Sequence, residues 1–168
     1  GSAAEFDGKP CIVGTLVDIT DRLALEKQLR LMMRAIESAN NGIAISDLSL
    51  DDNPFVYVNP AFEQITGYSS EETVGRNGRF LLGKDLNQPE LEKLRRGLHK
   101  QQSASVVVRN YHRNGSLFWN DLSMAPVRDE QGIPTHYVSI FNDITESKHY
   151  QQQLEKLSNY DGLTGLAN

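Results

Sequence analysis

Cysteine is nearly absent from this chain: Cys11 is the single thiol in 168 residues. No internal disulfide can form, so the fold must rest on its apolar core, as suits a reducing compartment. Long apolar runs are also missing. None approaches the roughly 20 residues that a membrane-spanning helix needs, and no secretory leader is seen. A soluble, cytoplasmic fragment without membrane contact is expected, with a membrane anchor elsewhere in a longer protein left open. Strong charge of one sign is missing as well. Lys and Arg number 17 against 22 Asp and Glu, a net charge of -5. That argues against a nucleic-acid binder held by bulk charge, though not against a local basic pocket. What is present is 39% hydrophobic and 23% charged residues, the balance of a packed domain. The length suits one ordinary domain plus attachments.

The chain says something similar twice. "DGKPCIVGTLVDITDR" (7–22) and "QGIPTHYVSIFNDITES" (131–147) share Gly-x-Pro, an alternating apolar run, then Asp-Ile-Thr and an acid. Each reads as a turn, a strand and a Thr N-cap before a charged helix. A repeated ending suggests tandem copies of one domain type. Residues 1–20 are therefore expected to hold a tag-like remnant and the end of a preceding copy, and 21–39 a linker helix. The next copy spans 40–145, followed by a signalling helix over 146–160. Leu25, Leu29, Met32 and Ile36 in the first helix, and Tyr150, Leu154 and Leu157 in the second, follow the rhythm of a coiled-coil seam. Short pairing helices predict a homodimer. An amphipathic helix lying on its own domain is the plainer alternative.

Between the helices, residues 42–47 and 55–58 alternate as strands. Asn59-Pro60 reads as a cap followed by a first-turn proline, and Ser69 with Glu72 as a capping box. Residues 88–100 place Leu91, Leu94 and Leu98 on one helix face. Three longer strands follow at 103–111, 117–127 and 135–144, the first two joined by an Asn-Gly turn in "HRNGS". Two strands, short helices, then three strands predict an α+β fold: a five-stranded antiparallel sheet with helices on one side.

Strand alternation puts Val106, Val108 and Asn110 on one face, with Phe118, Asn120, Leu122 and Met124 beside them. Tyr137, Ser139 and Phe141 join from the last strand. Two asparagines then point into an apolar interior, where an unpaired amide costs about 1–3 kcal/mol. They can bond backbone, each other or buried water. The sharper reading is a planar ligand with a donor and acceptor edge. The stretch "GRNGRFLLGK" (75–84) adds Asn77 as a further amide and Arg79 at the mouth, and Arg95 stands on the following helix. Two converging guanidiniums suit a phosphate. Trp119, on the outer sheet face with Leu117, Val107 and Ile140, is a candidate dimer contact, or else is covered by the N-terminal helix. His99 and His112 are expected in solvent, which disfavours haem. No metal site and no catalytic group are expected.

"FVYVNPAFEQITGYSSEETVGRNGRFLLGKD", "RNYHRNGSLFWNDLSMAPVRDEQG" and "DITE" together resemble a PAS domain of the LOV branch over residues 40–147. The resemblance implies a flavin, FAD or FMN. Asn77, Arg79, Arg95, Asn110 and Asn120 would contact it, the asparagines at the pyrimidine-like edge and the arginines at the phosphate. Three positions depart from the family. Gly78 stands where photoactive members carry the adduct-forming cysteine, Leu82 replaces a glutamine after "RFL", and Phe141 replaces the signalling glutamine. The resemblance therefore implies a flavin pocket without the usual light switch. It could still report redox state, because reduction changes the charge and protonation of the ring. The tail "DGLTGLAN" (161–168) resembles the opening of a GGDEF domain. A sensor joined to a GGDEF, or GGDEF and EAL, cyclic di-GMP output is implied. The rivals are a ligand-free PAS dimerisation and relay module, or a pocket for a small carboxylate or lipid.

Overall fold

The computed structural model describes residues 2–6, 9–13 and 18–159, with side chains over 18–156. It divides into two units, Gly1–Ala35 and Ile36–Asn168. In the first, β1 (Ser2–Phe6) and β2 (Lys9–Val13) form an antiparallel hairpin. Most of α1 (Thr20–Glu37) belongs here too. No residue of this helix is buried. Leu23, Leu25, Leu29, Leu31, Met32 and Met33 all stand exposed, so α1 carries its apolar residues without a core of its own. The GGDEF-like residues 161–168 and the side chain of Leu157 lie outside the described residues.

The second unit is the α+β fold that alternation predicts. Strands β3 (Gly42–Asp47), β4 (Phe55–Val58), β5 (Ala104–Tyr111), β6 (Leu117–Arg128) and β7 (Pro134–Asp143) form one antiparallel sheet. Its order is β4-β3-β7-β6-β5. Between β4 and β5 lie α2 (Pro60–Thr66), α3 (Ser70–Thr73), a 3-10 turn (Gly78–Leu82) and α4 (Glu90–His99). Their Phe62, Leu81 and Leu91 join Ala44, Val106, Val108, Leu122 and Phe141 of the sheet in one buried cluster. Helices α2 and α4 and the 3-10 turn therefore serve one sheet face.

Local chemistry fixes the junctions. Asn59 is fully buried and caps α2 by accepting from Phe62 N at 3.0 Å. The same oxygen accepts from Ile43 N at 2.7 Å, and Nδ2 donates to Ile36 O and Asn41 O. One amide thus joins the chain's entry, β3 and α2, each bond being costly to leave unmade. Ser69 and Glu72 form the reciprocal capping box of α3. Gly115, at φ +86°, closes the β5–β6 turn in the left-handed region that glycine adopts freely.

The Asp-Ile-Thr endings differ from expectation in one detail. Thr20 and Thr145 are not the caps but the first helical residues of α1 and of α5 (Thr145–Asn159). The preceding aspartate does the capping instead. Asp18 Oδ1 accepts from Thr20 N, and Asp143 Oδ1 from Thr145 N, each at 2.9 Å. A carboxylate two residues back reaches the first free N–H, which the short hydroxyl of Thr cannot do for its own amide.

Candidate functional site

The inward faces of β3, β5, β6 and β7 floor a cavity of about 470 Å³. That lies within the range of small-molecule sites, about 300–1,000 Å³. Register decides which side chains meet there. Ser46 pairs with Tyr137, Met124 with Ser139, and Leu122 with Phe141. The 3-10 turn and α4 supply the opposite wall: Gly78, Leu81 and Leu82, then Leu91, Leu94 and Leu98. Asn53, Asn77, Arg79, Leu86 and Arg95 also line it, with Leu86 52% exposed at the rim. Apolar side chains thus form the larger part of the lining, with Ser46, Asn110, Tyr137 and Ser139 as polar groups on the sheet side.

The two interior asparagines do different things. Asn120 is fully buried and is not among the lining residues. Its Nδ2 donates to Asn110 Oδ1 at 2.8 Å, and its Oδ1 accepts from Asn142 N at 3.2 Å. Both ends of that amide are therefore engaged by protein. Asn110 lines the cavity and, among the described residues, is held through its Oδ1 alone, which leaves its Nδ2 without a partner among them. Alternation shows that both asparagines share a face. The register, with Asn120 opposite Val108 and Asn110 opposite Phe118, sets them diagonally, within reach of each other.

Beside Gly78 the cavity wall is built of rings. A Cβ built on Gly78 would lie 2.5 Å from Cζ of Phe55 and 3.0 Å from Cε2. The Phe55 ring thus takes the room that any side chain at position 78 would need. Phe55, Phe62 and Phe141 pack edge to face, with centroids 5.9, 6.4 and 5.0 Å apart. Phe141 is buried at the wall without closing the cavity. Burial also pushes the phenol of Tyr137, another wall residue, above its usual range.

At the mouth, both guanidiniums are exposed. Arg79 Nη2 pairs with Asp52 Oδ1 at 2.5 Å, and Arg95 lies 4.0 Å from Glu92. Asn77 is committed too: its Oδ1 accepts from Arg79 N, and its Nδ2 donates to Asp52 O. Three further residues went unnoticed in the sequence. Asp52 is one and Phe55 the second. The third is Gln88, which is buried. Its Oε1 accepts from Arg109 N at 2.7 Å while its Nε2 donates to Arg109 O at 2.9 Å and to Asp85 O at 3.0 Å. Gln88 so laces the segment before α4 onto β5. Arg109 also pairs with Asp85 at 2.6 Å. Hydrogen bonds from Arg109, with its charge, hold the Asp85 carboxyl below its ordinary value.

The remaining expectations fall outside the cavity. Trp119 is half-buried, with the Arg109 guanidinium 5.8 Å and Lys148 Nζ 5.7 Å from its ring. His99 is exposed. His112 is half-buried against Phe118, its ring 4.5 Å away, and is not the solvated side chain expected. The turn places it against the end of β6. Among the described residues no three His, Cys, Asp or Glu side chains form a metal cluster, and no helix is long and apolar enough to cross a membrane.

A family model described as a PAS domain matches residues 40–146. The chain is 36% identical, over 75% of its length, to 49% of a blue-light photoreceptor of Listeria innocua. It is 38% identical to the LOV domain of a blue-light-activated histidine kinase from Erythrobacter litoralis. That match covers 62% of this chain and 96% of that one, with a TM-score of 0.59. The chain is a PAS domain of the LOV type. A further LOV domain, solved in work on a flavin analogue, shares 36% identity at a TM-score of 0.64, covering 75% of this chain and 95% of that one. This LOV chain spans from 16% to 51% of the length of curated relatives that it matches.

Proposed function

We propose that this LOV domain is a sensory module that holds a flavin, FMN or FAD, in the cavity without forming a thiol adduct, and passes its state to a downstream output. The carrying observation is Asn110, whose Nδ2 has no partner among the described residues and stands on the wall of a cavity of about 470 Å³. Asn120 orients that amide, and the aliphatic wall excludes water from a planar ring. Arg95 and Arg79 stand at the mouth for a phosphate. A bound flavin would supply one- and two-electron redox chemistry and blue absorption. Gly78 offers no nucleophile, so light cannot be read through a sulfur bond at that position.

The relay proposed here is the joint between β7 and α5. Ser139 and Phe141 line the cavity, and the same strand continues through Asp143 into Thr145. Trp119 N donates to Thr145 Oγ1, and Ile144 N to Trp119 O, each at 2.9 Å. The start of α5 is thus hydrogen-bonded to β6 as well as continuous with β7, and a shift of either strand reaches it. The output we infer is a GGDEF domain, with or without EAL, reached through paired helices in a homodimer. That inference rests on "DGLTGLAN" and the seam residues.

A second reading, a ligand-free dimerisation and relay module, is favoured by the engaged amides of Asn120 and Asn77 and by the packing of Phe55 on Gly78. Visible spectra distinguish the two. The flavin reading expects a protein that is yellow, or becomes so when FMN or FAD is added, with a structured blue band that illumination leaves free of any thiol adduct. A protein that takes up neither flavin supports the relay alone.

A further inference from the structure

The loop between β3 and β4 makes an unusual contact with the mouth. Asp52 and Asn53 are consecutive residues at φ +67° and +47°, the left-handed region that Asp and Asn enter more readily than other non-glycine residues. The loop is also held from across the cavity entrance. The Asp52 carboxylate engages Arg79, and the Asp52 carbonyl accepts from Asn77 Nδ2. Asn53, the next residue, lines the cavity together with Asn77 and Arg79. A single residue therefore engages both Asn77 and Arg79. Asp52 is the only acid paired with Arg79 among the described residues.

We propose that Asp52 is a specificity-determining residue of this site: an internal anion that competes with the phosphate of an incoming ligand for Arg79. This rests on the flavin reading and goes beyond it. A phosphorylated ring must displace the carboxylate from the guanidinium or share it, with like charge close by. A ring without phosphate meets no such competition. The loop then has two arrangements, one closed on Arg79 and one released, and a ligand phosphate favours the second. Asp52 therefore weakens binding of the phosphorylated ligand and narrows the difference between ligands with and without phosphate.

The substitution Asp52→Asn removes the charge, keeps the shape and the backbone carbonyl that Asn77 uses, and suits a positive φ. FMN and riboflavin, identical in the ring, are titrated into flavin-free wild-type and D52N protein, following flavin fluorescence. The expected result is FMN affinity raised about fivefold in D52N, the scale of an exposed ion pair, and riboflavin affinity changed by less than about twofold. FMN affinity that is unchanged or lower in D52N overturns the proposal. An equal rise for both ligands also overturns it, because loop freedom and not charge would then be responsible. If neither protein binds either flavin, the underlying flavin reading fails and the proposal with it. Riboflavin and FMN binding with the same constants in both proteins leaves the flavin reading standing and rejects only the role of Asp52.

Discussion

Asn110 and Asn120 occupy neighbouring strands and hydrogen-bond each other, yet their replacement by leucine should have opposite consequences. Asn120→Leu breaks two bonds, to Asn110 Oδ1 and from Asn142 N. It leaves both partners unmet, at about 1–3 kcal/mol each. A buried leucine returns about 2 kcal/mol by hydrophobic transfer. The net loss is about 2 kcal/mol, or about 10 °C in Tm for a domain of this size. Asn110→Leu leaves only Asn120 Nδ2 unmet, against a similar return, so its Tm should fall by less than about 5 °C. Ligand binding should rank the other way. Asn110 carries a donor without a partner among the described residues, so its loss should lower FMN affinity at least tenfold, the worth of one buried hydrogen bond of about 1.4 kcal/mol. Asn120→Leu should act more weakly, through the freedom it gives Asn110. Thermal denaturation and FMN titration of both variants test this. An N110L protein that is as unstable as N120L, yet binds FMN as wild type does, would refute the assignment of roles.

Other consequences follow from the same geometry. Gly78→Ala forces a Cβ to within 2.5 Å of Phe55 Cζ and should cost about 2 kcal/mol by overpacking. In a Phe55→Val background that cost should shrink, giving a coupling of about 1–2 kcal/mol in a denaturation cycle; additive losses would contradict the contact. Asp85 has its carboxyl held below the ordinary value of 3.8, chiefly by hydrogen bonds from Arg109. Its contribution is therefore present above that pH and lost as pH falls through the lower folded value. Wild type should lose its Tm advantage over D85N below about pH 4, and parallel Tm–pH curves would count against the pair. Tyr150 and Leu154 are one turn apart on α5 and 63% and 67% exposed. Replacing both with Gln should shift sedimentation toward monomer if that face pairs two chains, and an unchanged oligomeric state would exclude it.

The sheet was legible because its signals are local. Period-two alternation and turn residues set β3 at 42–47 and β4 at 55–58 as expected, and the caps at Asn59 and Ser69 announce themselves within three residues. The shared face of Asn110 and Asn120 follows from parity alone. Which of them opens to the cavity does not, because it depends on how β5 and β6 are registered. The contacts that went unseen are long-range and have no local pattern. Phe55 meets Gly78, Asp52 meets Arg79 and Gln88 meets Arg109, each across more than twenty residues. In every case the partner is chosen by how the 3-10 turn and the segment before α4 lie over the sheet. The Asp-Ile-Thr endings show the opposite limit. Their repetition is plain in the sequence, but the cap falls to an aspartate two residues before the Thr, which reaches the first free amide.

The most direct test of a flavin-holding cavity is mass spectrometry of the small molecules released when the purified protein is denatured. FMN or FAD is expected in near-stoichiometric amount, freed without covalent attachment and taken up again on refolding. A protein that releases no flavin, and retains none after refolding with FMN and FAD, would contradict the flavin reading.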